Sequence, residues 1–252
     1  MDLEFKKIFL AKWQKYFKKA PLPICFYYSD EEGHGKKPKA SARWRCMIAD
    51  LGAVRKGGTI YFDVDSIPCA GGKRYSGFRQ SLRPNFEYFL SCGIEGELKG
   101  ERYKKTPELV NEQMRHQPPF KAPAKYIVFK RFDNLDEADD PEVAIFFATP
   151  DVLAGLFTLA NFDQSTPQGI IAPFGSGCSA IIYYPLQELN NSALRPILGM
   201  FDVSARPYVP ADILSFAIPW PKFVTMVGDM DESFLITDSW KKIRKRIDRT
   251  YI

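Results

Sequence analysis

Histidine is nearly absent: only His34 and His116 occur in 252 residues. His34 lies in a polar loop and His116 stands two residues before Pro118, so both read as solvated. A His-rich zinc or non-haem iron centre and a Cys/His nucleophile pair are therefore not expected. The chain has no Cys-x-x-Cys and no Gly-x-x-x-x-Gly-Lys-Ser/Thr, which excludes a compact zinc or redox motif and a phosphate-cradling loop. Nowhere do about 18 apolar residues run together, the length a membrane-crossing helix needs. The first twenty residues, MDLEFKKIFLAKWQKYFKKA, scatter lysine among the apolar positions and so lack the unbroken apolar core of an export signal. A cytoplasmic protein without a membrane partner is the expectation.

Charge of one sign is also scarce. The net charge is +5, with Lys and Arg at 35 and Asp and Glu at 30. Basic residues gather at Lys36, Lys37, Lys39, Arg43 and Arg45, and again at Lys241, Lys242, Arg244, Lys245, Arg246 and Arg249. Without aromatic interleaving or a recognition motif these read as solvated faces, and nucleic acid is not expected as a partner. The five cysteines, Cys25, Cys46, Cys69, Cys92 and Cys178, are odd in number and widely spread, which does not suit a disulfide framework. Free thiols or metal ligands remain. The 45% hydrophobic and 26% charged content is that of one globular domain over residues 1–252; a homo-oligomer stays open.

Periodicity predicts an amphipathic helix over residues 2–19, with Phe5, Ile8, Phe9, Trp13 and Phe17 on one face, and a basic helix from about residue 238. Between them, strands are expected at 24–28, 59–64, 126–132, 142–148, 169–174, 197–203 and 214–218. Helices are expected at 42–55, 107–115, from Pro150 after the cap Thr149, at 180–184 and from about 219. The fold class is α+β, a mixed sheet or sheets flanked by helices. The two parts of the chain echo each other. FDVDSIPC, residues 62–69, follows Cys46, and FDVSARPY, residues 201–208, follows Cys178. Two pseudo-symmetric halves from a diverged duplication, 20–100 and 124–228, account for that echo.

Residues 45–78, RCMIADLGAVRKGGTIYFDVDSIPCAGGKRYSGF, resemble the uncharacterised family called domain of unknown function 169. The later blocks TPDVLAGLFTLANF, PFGSGCSAIIYYPL and GMFDVSARPYVPADILSFAIP agree with it in order. The resemblance carries no settled activity. It implies Cys46, Cys69, Gly71, Gly72, Gly77, Cys178, Asp202 and Arg206 as signature positions. On that footing Cys46, Cys69 and Cys178 are candidate ligands of a 4Fe-4S cluster, or less readily of zinc, because thiolates are the soft ligands these prefer. The other reading is a metal-free cleft for a small anionic molecule, in which the cysteines pack as small hydrophobes. Gly71, Gly72 and Lys73 read as an anion-receiving backbone nest or as a tight turn whose glycines allow positive φ, with Arg206 clamping the ligand or merely pairing with Asp202 beside it. Cys46 and Cys178, placed at helix starts, are expected to be the thiols of lowered pKa.

Overall fold

A computed structural model describes residues 1–39 and 45–251. In chain order the elements are α1 (Leu3–Phe17), β1 (Ile24–Ser29), α2 (Met47–Arg55), β2 (Thr59–Phe62), α3 (Ala70–Tyr75), α4 (Phe86–Leu90), β3 (Gly93–Ile94), β4 (Leu98–Lys99) and α5 (Pro107–Arg115). They continue with β5 (Tyr126–Arg131), β6 (Val143–Ala148), α6 (Pro150–Ala160), a π-helical turn (Ser179–Tyr183), α7 (Tyr184–Leu189), β7 (Ile197–Gly199), β8 (Leu214–Pro219), α8 (Trp220–Asp229) and α9 (Asp238–Thr250). The expected start of α2 at residue 42, with Arg43, lies outside the described residues.

Six strands form one sheet in the order β2-β5-β1-β6-β8-β7, and β3 and β4 pair separately as a hairpin. The α+β class is realised with every strand pair antiparallel. At the centre β1 and β6 pair as Ile24↔Ile145, Cys25↔Ala144 and Phe26↔Val143. On either side of that seam the layout repeats. β1, β5 and β2 form one triplet; β6, β8 and β7 form the other, and in each the second strand in sequence takes the outer edge while the third slots between. The sequence reading placed β5 with the second half, whereas its pairing joins it to β1 and β2.

Alternation along the strands sends successive side chains to opposite faces. One face carries Ile24, Phe26, Ile60, Phe62, Ile127, Phe129, Val143 and Ile145, and packs against α2 and the π-helical turn. The other face of the second triplet carries Ala144, Phe146, Ala148, Phe216 and Ile218, covered by Phe9, Trp13 and Phe17 of α1, Leu156 of α6, Phe223 of α8 and Trp240 of α9. Among the described residues, the matching face of the first triplet adds Cys25 of β1 to that cluster and otherwise carries the small cluster Tyr61, Tyr126 and Val128, flanked by Tyr27.

Local chemistry explains most boundaries. Asp2 caps α1 by accepting from the Glu4 and Phe5 amides. Of the five apolar positions read for that helix, Phe9, Trp13 and Phe17 are buried, Phe5 is partly buried and packs on the same core, and Ile8 faces outward, 41% exposed. The Pro150 start of α6 is as read, but the Thr149 hydroxyl accepts from the Tyr251 hydroxyl (3.0 Å) rather than capping. Two strands are shorter than the β-propensity of their residues suggests. The 169–174 stretch makes a single bridge, Ile171 to Ile197, and β7 stops at Gly199 because Met200 takes a left-handed φ of 69°.

Candidate functional site

Three helix starts meet above the first sheet face. Cys46 is the extended residue before α2, Cys69 the extended residue before α3, and Cys178 the residue before the π-helical turn. All three are buried, at 6%, 9% and 4% exposure, and all three belong to one core cluster. Cys69 is the best held. Its sulfur accepts from the Gly72 amide (3.3 Å) and lies near the Met47 amide and the Cys178 thiol. Gly72 has to be glycine for this. A Cβ there would sit 3.1 Å from the Cys69 sulfur, 2.8 Å from Ile67 and 3.3 Å from the Met47 sulfur.

These contacts sort the thiols by acidity. The Cys178 hydrogen bond stabilises the Cys69 thiolate and, with the two amides, outweighs burial and the Asp50 carboxylate, lowering its pKa to about 6. Cys178, as the donor next to that thiolate and fully desolvated, is pushed well up. Burial pushes Cys46 up to about 11, in spite of the Ile48 and Ala49 amides. The expectation that Cys46 and Cys178 are the acidified thiols is thus reversed. Burial disfavours the charged form at both, and the low-pKa thiol is the one that the helix-start argument left out. Cys25 points to the opposite sheet face and Cys92 is exposed near the β3–β4 hairpin, so neither adds to the group.

Cys69 also borders a cavity of about 310 Å³, lined by Asp65, Ile67, Pro68, Ala70, Lys73 and Arg79 besides. Lys73 is half-buried and Arg79 exposed. Among the described residues neither cation has a carboxylate partner within ion-pair distance, while Lys37, Arg45, Lys130 and Arg195 do. Gly71 and Gly72 do not form a nest. They are the first turn of α3, without positive φ, and Gly71 faces open space.

The remaining candidate residues lie on the second triplet, and none of them lines that cavity. Asp202 accepts from the Gly177 amide (2.9 Å), from the Ser204 amide (2.9 Å) and from the Ser204 hydroxyl, and so pins the loop that presents Cys178. The Arg206 side chain does not pair with that of Asp202. Its guanidinium donates to the carbonyls of Pro210, Ala211 and Ile213, tying down a loop whose carbonyls have no strand partner. Sequence reasoning missed Gln117, a buried hub. It accepts from the Tyr75 hydroxyl (3.1 Å) through its side chain and from Arg74 (3.1 Å) through its carbonyl, and its side-chain amide donates to the Tyr184 hydroxyl. Next to it, Gly77, at φ 79°, lets the chain at Ala122 approach α3; a Cβ there would fall 2.5 Å from the Ala122 nitrogen. No local pattern announces a lone glutamine as a hub.

Among the described residues no group of three or more His, Cys, Asp or Glu side chains is arranged to hold a metal ion, so the cluster and zinc expectations gain nothing from the geometry. Nor is any described helix long and apolar enough to cross a membrane. In comparison with known proteins, the model of a family described as DUF169, uncharacterised ArCR, matches residues 15–229. No curated protein and no solved structure matches the chain.

Proposed function

We propose that this chain, which belongs to the DUF169 family, is a metal-free thiol protein in which Cys69 is the reactive sulfur and the cavity beside it receives a small anionic molecule. The observation that carries the reading is the coincidence of two features at one wall. A sulfur stabilised as thiolate by Cys178 borders the cavity, and the same cavity is lined by Lys73 and Arg79, cations without carboxylate partners among the described residues. A thiolate at neutral pH is the nucleophilic form, and cations at the mouth of a cleft raise the local concentration of anions. Carboxylates and phosphates are the classes this lining suits. Cys46, raised by burial to about 11, belongs to the same core cluster.

The test uses two alkylating probes of different charge on the intact protein, with exposed Cys92 as internal reference. Iodoacetate should label Cys69 faster, relative to iodoacetamide, than it labels Cys92. Replacing both Lys73 and Arg79 with Ala should cut the iodoacetate rate at Cys69 by about tenfold, on roughly 0.7 kcal/mol for each removed charge at a partly solvated site. Equal probe ratios at Cys69 and Cys92 would remove the anion from the reading. Failure of both probes to label Cys69 at neutral pH would remove the thiolate.

A further inference from the structure

We infer that the ligand of the cavity beside Cys69 is an amino dicarboxylate, a molecule of the aspartate or glutamate class whose two acid groups meet Lys73 and Arg79 and whose ammonium meets Asp65. This names the substrate class of the site proposed above and rests on that cavity taking an anion. At about 310 Å³ the cavity stands at the lower end of the roughly 300–1,000 Å³ that small-molecule sites span. It suits a metabolite of amino-acid size rather than a nucleotide.

The charges of the lining carry the inference. Lys73, Arg79 and Asp65 border the same small space, yet among the described residues none of the three side chains makes an ion pair or a hydrogen bond, with one another or with any other group. The backbone holds the two signs on separate frames. The Asp65 amide donates to the Asp63 carboxylate (3.1 Å), which fixes the turn before Pro68. Asp63 itself takes Lys37 (2.5 Å), so that cation is already engaged. On the other frame, the Arg79 amide donates to the Lys73 carbonyl (3.0 Å), and the two cations therefore come together from the end of α3. A ligand with one acid group and no cation would answer Lys73 or Arg79 and leave Asp65 facing an anion. A ligand with two acids and an ammonium answers all three. Its single net negative charge balances a lining with one more cation than anion, and Ile67, Pro68 and Ala70 give its methylenes an apolar wall.

The experiment measures binding to the full-length protein by calorimetry at fixed ionic strength. The probes are glutamate and aspartate, their ammonium-free counterparts 2-oxoglutarate and succinate, and 4-aminobutyrate, which lacks one acid. Glutamate or aspartate should bind about tenfold more tightly than its ammonium-free counterpart, the worth of one charge-assisted hydrogen bond, and more tightly than 4-aminobutyrate. Asp65→Asn should erase that preference while dicarboxylate affinity holds or rises; the side chain is exposed, and circular dichroism checks the fold. Lys73→Ala should weaken glutamate and 2-oxoglutarate alike. Equal affinity for amino and ammonium-free dicarboxylates, a preference that survives Asp65→Asn, or no binding of any probe would overturn the inference. If iodoacetate then still favours Cys69 over Cys92, the anion reading stands without this ligand class; if the probe ratios are equal, both fall.

Discussion

The two strand triplets differ most where they agree in sequence. Both put an Asp just beyond the edge strand: Asp63 accepts from the Asp65 and Ser66 amides and the Ser66 hydroxyl, and Asp202 accepts from the Ser204 amide and hydroxyl. Both precede a proline, Pro68 or Pro207. There the likeness stops, because Cys69 in the first segment corresponds to Tyr208 in the second. The first triplet continues into α3 and a long excursion through α5, the second into a short turn and β8. One half therefore carries Cys69, whose pKa is lowered, and the other carries Cys178, whose pKa is raised. A repeated strand layout thus carries two thiols whose pKa values shift in opposite directions.

The outer face breaks the symmetry a second time. Four helices cover the second triplet, while among the described residues the first carries a small cluster of Tyr61, Tyr126 and Val128 under the polar segment around Gly33 and Lys36. The largest expected effect tests this. Trp240→Ala removes a fully buried ring that contacts Phe17 and Phe234 and should lose about 3–5 kcal/mol in chemical denaturation. Tyr61→Ala on the thinner side should lose less, about 1–2 kcal/mol, as a side chain at the rim of a small cluster. Equal losses would mean that the two faces are not energetically different.

A smaller effect separates the two aspartates. Asp63→Ala and Asp202→Ala should each cost about 1–2 kcal/mol for the unpaired donors left behind, but only Asp202→Ala should slow alkylation of Cys69, because only Asp202 fixes the Cys178 loop. The smallest effect is in acid. Lys37 and the Ser66 groups overcome burial and hold Asp63 down at about 2, below its ordinary value of ~4. Its stabilising contribution is thus complete above pH ~4 and lost as pH falls toward about 2. Urea titrations of wild type and Asp63→Asn should diverge above that window and converge below it.

The parts of this architecture written in short-range patterns were legible in the sequence. The 3.6-residue spacing of Phe9, Trp13 and Phe17, the Thr149-Pro150 start and the β-branched runs of β2, β5 and β6 all point to the elements they form. The repeated Phe-Asp-Val pointed to the paired turns. What was not legible depended on contacts between distant segments. Helix-start logic favours Cys46 and Cys178, yet burial raises Cys46 and the neighbouring Cys69, together with burial, raises Cys178, while the Cys178 thiol and two amides lower Cys69. Arg206 reads as a partner of Asp202 or an anion clamp because its actual carbonyl partners belong to an irregular loop. Gly71-Gly72 looked like a nest because the close approach of the Cys69 and Met47 sulfurs to Gly72, a packing reason for glycine, leaves no local mark.

The central claim is that Cys178 makes Cys69 a thiolate, and the pH dependence of Cys69 alkylation in wild type and Cys178→Ala measures it directly. Desolvated and without its donor, Cys69 in the variant should titrate at or above the free-thiol value of ~8.5, whereas the wild-type rate should rise through pH about 6 and level off above it. A wild-type midpoint above pH 8, or one that stays put when Cys178 is removed, would contradict the account.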